Sequence, residues 1–195
     1  MNKPEPVTLS NPHVRLEPLT TAHVPALARV GLDPALWPWI PAPITSIDGM
    51  RDYVARALDE QARGQAIPFA IVDAQREEVV GTTRYAAIDV PNRRLEIGWT
   101  WVARDRQRTP INTSAKRLLL GHAFESLDVN RVELKTDVLN QQSRTAILRI
   151  GATQEGILRQ HVRCVSGRMR DTVYFSILAS EWPDVRHRLD QRLSA

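Results

Sequence analysis

Residues 69–102 restrict the fold of this chain more than any other part. Residues 69–73, 79–88 and 95–102 are rich in β-branched and aromatic side chains, and only short charged turns at 74–78 and at Pro91-Asn92-Arg93 separate them. Connections that short join antiparallel neighbours, so the three stretches read as a meander of hairpins, and the rest of the chain has to pack around it.

The flanks supply helices. Ahead of the meander, Val14-Arg15-Leu16-Glu17-Pro18-Leu19 alternates apolar and polar residues as a short strand, and Thr20 or Thr21 can cap a helix from Ala22 to about Leu32. Trp37-Pro38-Trp39-Ile40-Pro41-Ala42-Pro43 cannot be helical. Ser46 then caps a second helix whose Met50, Tyr53, Val54, Ala57 and Leu58 recur three and four apart. After the meander a helix is expected over 113–127, with Ala115, Leu118, Leu119, Ala123 and Leu127 on one face. A strand at 132–138, a helix at 143–150, strands at 154–162 and 171–178 and a helix at 181–193 follow, with Pro183 tolerated in the first turn of the last. The order β α α β β β α β α β β combines antiparallel hairpins with one strand-helix-strand crossover, which is an α+β sheet and not a doubly wound parallel one.

At 195 residues, with 43% hydrophobic and 25% charged residues, the chain has the size and balance of a single folded domain spanning 1–195. The lone cysteine, Cys164, allows neither an internal disulfide nor a cysteine-built zinc site, which fits a reducing compartment. Neither a signal peptide nor an apolar run approaching the ~20 residues of a spanning helix is present, so a cytoplasmic protein without membrane contact is expected. The net charge of +4 and pI near 9.7 suit an anionic ligand. They suit nucleic acid less, because the arginines are scattered along the chain.

Six segments carry a resemblance that covers nearly the whole chain: Val80-Gly81-Thr82, Leu95-Glu96-Ile97-Gly98-Trp99, the loop 107–113, Asn140-Gln141-Gln142-Ser143, Ile150-Gly151-Ala152, and Arg170-Asp171-Thr172-Val173-Tyr174. In this order they resemble the GNAT superfamily of N-acetyltransferases, in the branch similar to the Rim-type ribosomal-protein alanine/serine N-acetyltransferases. The resemblance implies a mixed, mostly antiparallel sheet with helices on both faces. Its two middle strands, here 95–102 and 132–138, splay to admit the pantetheine arm of acetyl-CoA, and the reaction is acetyl transfer to a primary amine on a protein N-terminus or a small molecule. A catalytically silent CoA-binding sensor or a ribosome-associated binding module is the alternative, and a homodimer is admitted as a further partner.

By the same resemblance, Trp101, Val102, Gln107, Arg108, Thr109, Ile111, Asn112, Thr113, Asn140 and Ser143 are the cofactor-binding candidates, with the pyrophosphate at the helix start that follows the loop. Arg106, Arg108, Lys116 and Arg117 are expected to surround it with positive charge, unless they are ordinary solvated arginines and lysine. The loop departs from the family pattern, because Pro110 stands where a glycine is usual and has no N–H to give. Direct transfer needs a base for the amine and a proton source for the leaving thiolate. Alternation in 95–102 puts Leu95, Ile97, Trp99 and Trp101 on one face as core, and Glu96 with Gly98 and Thr100 on the other. Glu96 is therefore the candidate base and acceptor contact, or else a partner in a cross-strand ion pair with Arg84 or a neighbour. The helix at 143–150 lacks the family's tyrosine, so the acid role falls to Ser143, whose plainer reading is a helix N-cap, as a turn residue is for Asn140. Trp37 and Trp39 can stack on an acceptor group or staple the proline-rich loop to the sheet. His122 and Cys164 have no partner pattern of a nucleophile.

Overall fold

The computed structural model describes residues 1–194. One eight-stranded sheet runs through them in the order β1-β2-β3-β4-β5-β6-β8-β7. Its strands are β1 (Leu9–Ser10), β2 (Val14–Pro18), β3 (Ile67–Asp73), β4 (Glu78–Asp89), β5 (Arg94–Val102), β6 (Arg131–Asp137), β7 (Thr153–Arg163) and β8 (Met169–Leu178). The helices are α1 (Val24–Gly31), α2 (Ile47–Ala62), α3 (Pro110–Gly121), α4 (Gln141–Arg149) and α5 (Trp182–Ser194). Every neighbouring pair is antiparallel except β5–β6, the two strands joined by the α3 crossover. The α+β sheet expected from the element order is thus observed. The two-residue β1 carries no periodicity a sequence could show, and it forms because Leu9 pairs with Leu16 of β2.

The sheet buries both faces. On one, Leu95 and Ile97 of β5 and Val132 and Leu134 of β6 pack with Ala115 and Leu119 of α3 and with Val185 and Leu189 of α5. On the other, Leu27 of α1 and Met50 and Val54 of α2 close over Ala70, Trp37 and Trp101. Ser46 caps α2 as expected, its hydroxyl accepting from the Gly49 N–H at 3.0 Å.

Two boundaries differ from expectation in ways that shape the site. α3 begins at Pro110, three residues earlier than its apolar period, because Thr109 serves as N-cap and Pro110 occupies the first turn. A first-turn proline surrenders only an N–H that has no intrahelical partner, so Pro110 starts the helix and does not distort it. The second difference lies in β5. Its ladder with β4 shifts between Thr82/Trp101 and Arg84/Gly98, and Trp99 adopts φ +52°. This bulge reverses the alternation, so Trp101 leaves the face of Leu95 and Ile97 and packs with α1 and α2. Trp99, expected in the core, is 47% exposed instead.

Candidate active site

β5 and β6 pair at only three positions, Arg94↔Arg131, Leu95↔Val132 and Glu96↔Glu133. Beyond Glu96 they part, although β5 runs on to Val102 and β6 to Asp137. Backbone groups of Ile97 to Val102 on that side have no strand partner, so a linear polar ligand could complete the ladder. The bulge at Gly98 and Trp99 sits within the open stretch. Holding a tryptophan in left-handed backbone costs about 1–3 kcal/mol, the kind of strain found where backbone is aimed at a ligand.

Glu96 stands where the strands part. It is 4% exposed and its carboxylate pairs with the Lys135 ammonium of β6 at 2.7 Å, so the neighbour in its ion pair is Lys135; Arg84 bonds Glu60 instead. Burial opposes the charge on Lys135, but attraction from Glu96, with a smaller contribution from Tyr174, outweighs it and holds the ammonium above its ordinary pKa. Gly98 makes room for the carboxylate. A Cβ there would overlap Glu96 Oε1 and lie 3.1 Å from its Cδ. On the opposite side of β5, Lys116 of α3 donates from Nζ to Thr100 Oγ1 at 2.7 Å, and Thr100 bonds Thr83 Oγ1 at 2.8 Å. Burial pushes the Lys116 ammonium down to about 7, with the charge of Glu96 opposing the fall.

Past the end of β5, a cavity of about 440 Å³ is bounded by Ala35, Arg104, Gln107, Arg108 and Gln142. Gln107 spans its inner wall, donating to the Val102 carbonyl and accepting from Gln142 of α4, each at 3.1 Å. The α3 N-terminus opens beside it. Thr109 Oγ1 accepts weakly from Ile111 N–H at 3.4 Å, which leaves the Asn112 N–H and the loosely held Ile111 N–H for an anion, while Thr113 N–H closes the first turn of the helix. The expected ring of cations is smaller than the sequence indicates. Arg106 faces Asp73, Glu78 and Asp105, Arg117 pairs with Asp190 of α5, and Lys116 is buried. Arg108, at φ +62°, and Arg104 remain, both exposed and without an ion-pair partner among the described residues. Nothing in the sequence marks Arg104, because a linear pattern does not tell a paired arginine from a free one.

Across the gap, Asn140 is the N-cap of α4, its Oδ1 accepting from Ser143 N–H at 3.0 Å. Ser143 is therefore in the first turn of α4 and not its cap. Its half-buried hydroxyl has no protein partner among the described residues.

A second cavity, about 160 Å³, opens on the α1–α2 face beside the bulge, walled by Trp37, Tyr53, Arg84, Trp99 and Trp101, with Arg56 and Glu60 of α2 at its margin. Trp37 both staples and lines. Its Nε1 donates to the Gly31 carbonyl at 2.9 Å and its ring lies 5.5 Å from Trp101, while one face borders the cavity. Trp39 is half-buried and outside that wall. The tip of the β7–β8 hairpin reaches the same loop, where Val165 N–H donates to the Pro41 carbonyl at 2.9 Å. His122 stacks on Tyr85 in the core, and Cys164 is buried in the hairpin.

Comparison with known proteins gives this geometry a family. The family described as "Acetyltransferase (GNAT) domain" matches residues 13–153. The uncharacterized N-acetyltransferase p20 of Bacillus licheniformis is 31% identical over 140 residues, 72% of this chain and 78% of that protein. A GCN5-related N-acetyltransferase from Brucella melitensis superposes with a TM-score of 0.91 at 30% identity, covering 98% of this chain and 87% of its own. RimJ of Mycobacterium smegmatis, solved in complex with CoA-disulfide, superposes with a TM-score of 0.85 at 26% identity over 98% and 97% of the two chains. The chain belongs to the GNAT acetyltransferase family, in its branch similar to the Rim-type ribosomal-protein acetyltransferases.

Proposed function

We propose that the protein moves an acetyl group from acetyl-CoA to a primary amine, on a small molecule or a protein N-terminus, by direct attack. The observation that carries this reading is the parting of β5 and β6 with the buried Glu96 carboxylate at the fork. In it the pantetheine arm pairs with the free backbone of β5 near Trp101 and Val102. The pyrophosphate meets Arg108, Thr109, Ile111, Asn112 and Thr113 at the start of α3, with Arg104 and Gln107 beside it and Asn140 across the gap. The RimJ relative, solved with CoA-disulfide, supports a CoA-type ligand in this fold.

The chemistry follows from the charges. An amine arriving as ammonium beside Lys135 meets a like charge that favours its neutral form, while Glu96 takes the released proton directly or through water. Nitrogen then attacks the thioester carbon, the oxyanion is held by unpartnered N–H groups of β5, and collapse expels the thiolate; the second proton shed by the attacking nitrogen passes through the Ser143 hydroxyl to the thiolate, giving the amide and the free thiol. Glu96→Gln tests the assignment. Turnover should fall by about 10²–10⁴-fold with acetyl-CoA affinity little changed, and the deficit should narrow at high pH, where the amine is already neutral. An unchanged pH–rate profile removes Glu96 from the mechanism.

A further inference from the structure

The cavity on the α1–α2 face has donors without acceptors. Arg84 is 3% exposed, yet among the described residues its guanidinium makes one hydrogen bond, from Nη1 to Glu60 Oε2 at 2.7 Å. It lies between aromatic faces, 4.6 Å from the Trp99 ring centre and 5.4 Å from that of Tyr53, which fixes its plane without satisfying its remaining N–H groups. Trp101, 6% exposed, likewise has its indole N–H buried without a partner. Buried donors are normally bonded, and leaving one unmet costs more than the bond gains, so the orphaned Trp101 N–H, beside guanidinium N–H groups of Arg84 that have no protein acceptor on the same small cavity, points to a ligand that brings acceptors. Arg56 at the margin is exposed and adds a second positive charge, against the one negative charge of Glu60. The walls themselves are flat and aromatic.

We infer that this cavity is the acceptor subsite and that the acceptor is a small amine carrying a carboxylate and a flat apolar group, the chemistry of an aromatic amino acid. The carboxylate takes the free edge of Arg84 and the Trp101 N–H, and the flat group lies among Trp37, Trp99 and Trp101. Because Trp99 is the bulge residue, a molecule held there presents its amine to the gap between β5 and β6. This inference rests on the acetyl-transfer reading, deepens it, and can fail without it.

The test compares phenylalanine, phenylalaninamide and 2-phenylethylamine as acceptors with acetyl-CoA as donor, scoring thiol release as kcat/KM per neutral amine. Phenylalanine should exceed both others by on the order of ten- to a hundredfold, the range for hydrogen bonds to a charged group. Arg84→Met should collapse that ratio toward one. Glu60→Gln, at a half-exposed position that leaves the cavity wall in place, frees the guanidinium and should enlarge it. Should Arg84→Met fail to fold, the Glu60→Gln ratio and quenching of the cavity tryptophans by phenylalanine against 2-phenylethylamine, with CoA bound, decide the matter. Equal rates for phenylalanine and 2-phenylethylamine overturn the carboxylate subsite while leaving acetyl transfer in place. Equal rates for phenylalanine and its amide overturn it too, pointing instead to a neutral carbonyl such as that of a peptide N-terminus. Absence of acetyl-CoA binding would instead strike the underlying reading.

Discussion

Replacing Gly98 by alanine moves the proposed base without touching its chemistry. The added Cβ would overlap Glu96 Oε1 and stand 3.1 Å from Cδ and 3.4 Å from Cγ. Ordinary carbon–carbon contacts are about 3.5–4.0 Å, so the carboxylate must shift by about 1 Å. Retreat is restricted, because the Glu96 side chain is buried and tied to Lys135 at 2.7 Å. A misplacement of that size costs on the order of a hundredfold in turnover, and one extra methyl in a filled site costs about 1–3 kcal/mol of stability. The assay pairs kcat with thermal unfolding and with calorimetry of acetyl-CoA. Turnover should fall about a hundredfold in protein that remains folded and binds acetyl-CoA within a few-fold of the parent. A Gly98→Ala protein with parental turnover would show that the position of the Glu96 carboxylate is irrelevant to the reaction.

The remaining predictions concern α4 and Lys116. Because Asn140 is the cap, Ser143→Ala should leave thermal stability nearly intact while turnover falls about a hundredfold, whereas Asn140→Ala should cost about 1 kcal/mol of stability; a Ser143→Ala protein with full turnover excludes Ser143 as the acid. The Lys116 ammonium titrates near 7 in the folded protein and at 10.5 as a free side chain, so between those values the unfolded chain holds a proton the folded one lacks, and stability should rise with pH across that window. Lys116→Met should flatten this rise and stabilise the protein near pH 7 by a few kcal/mol in urea titrations, about the size of the shift involved; an unchanged slope means that Lys116 is charged when folded.

How far the sequence leads depends on the length scale of each signal. Hairpins and helices were legible because periods of 2 and 3.6 repeat over many residues, and the resemblance located the β5–β6 gap. The bulge was not legible. One extra residue changes the parity of everything after it, so strict alternation puts Trp101 on the wrong face and Trp99 in the core. The start of α3 lies ahead of its apolar period because a proline that looks like a missing donor in a loop is an ordinary first-turn residue once Thr109 caps the helix. The basic ring is smaller than the sequence suggests for a different reason: the carboxylates that engage Arg106 and Arg117 come from Asp73 and Glu78 on one side and Asp190 on the other, pairings that only the folded chain brings together. The Arg84 cavity escaped the same way, since its walls come from α2, β4, β5 and the proline-rich loop.

Direct transfer at the β5–β6 gap is the claim on which the rest depends. Initial rates of thiol release, with acetyl-CoA and the most active amine of a panel both varied, test it most directly. Intersecting double-reciprocal lines with one N-acetylated product per thiol released are predicted, since no residue carries the acetyl group between substrates. Parallel lines, the mark of an acetylated enzyme intermediate, or no thiol release above hydrolysis with any amine, would contradict it.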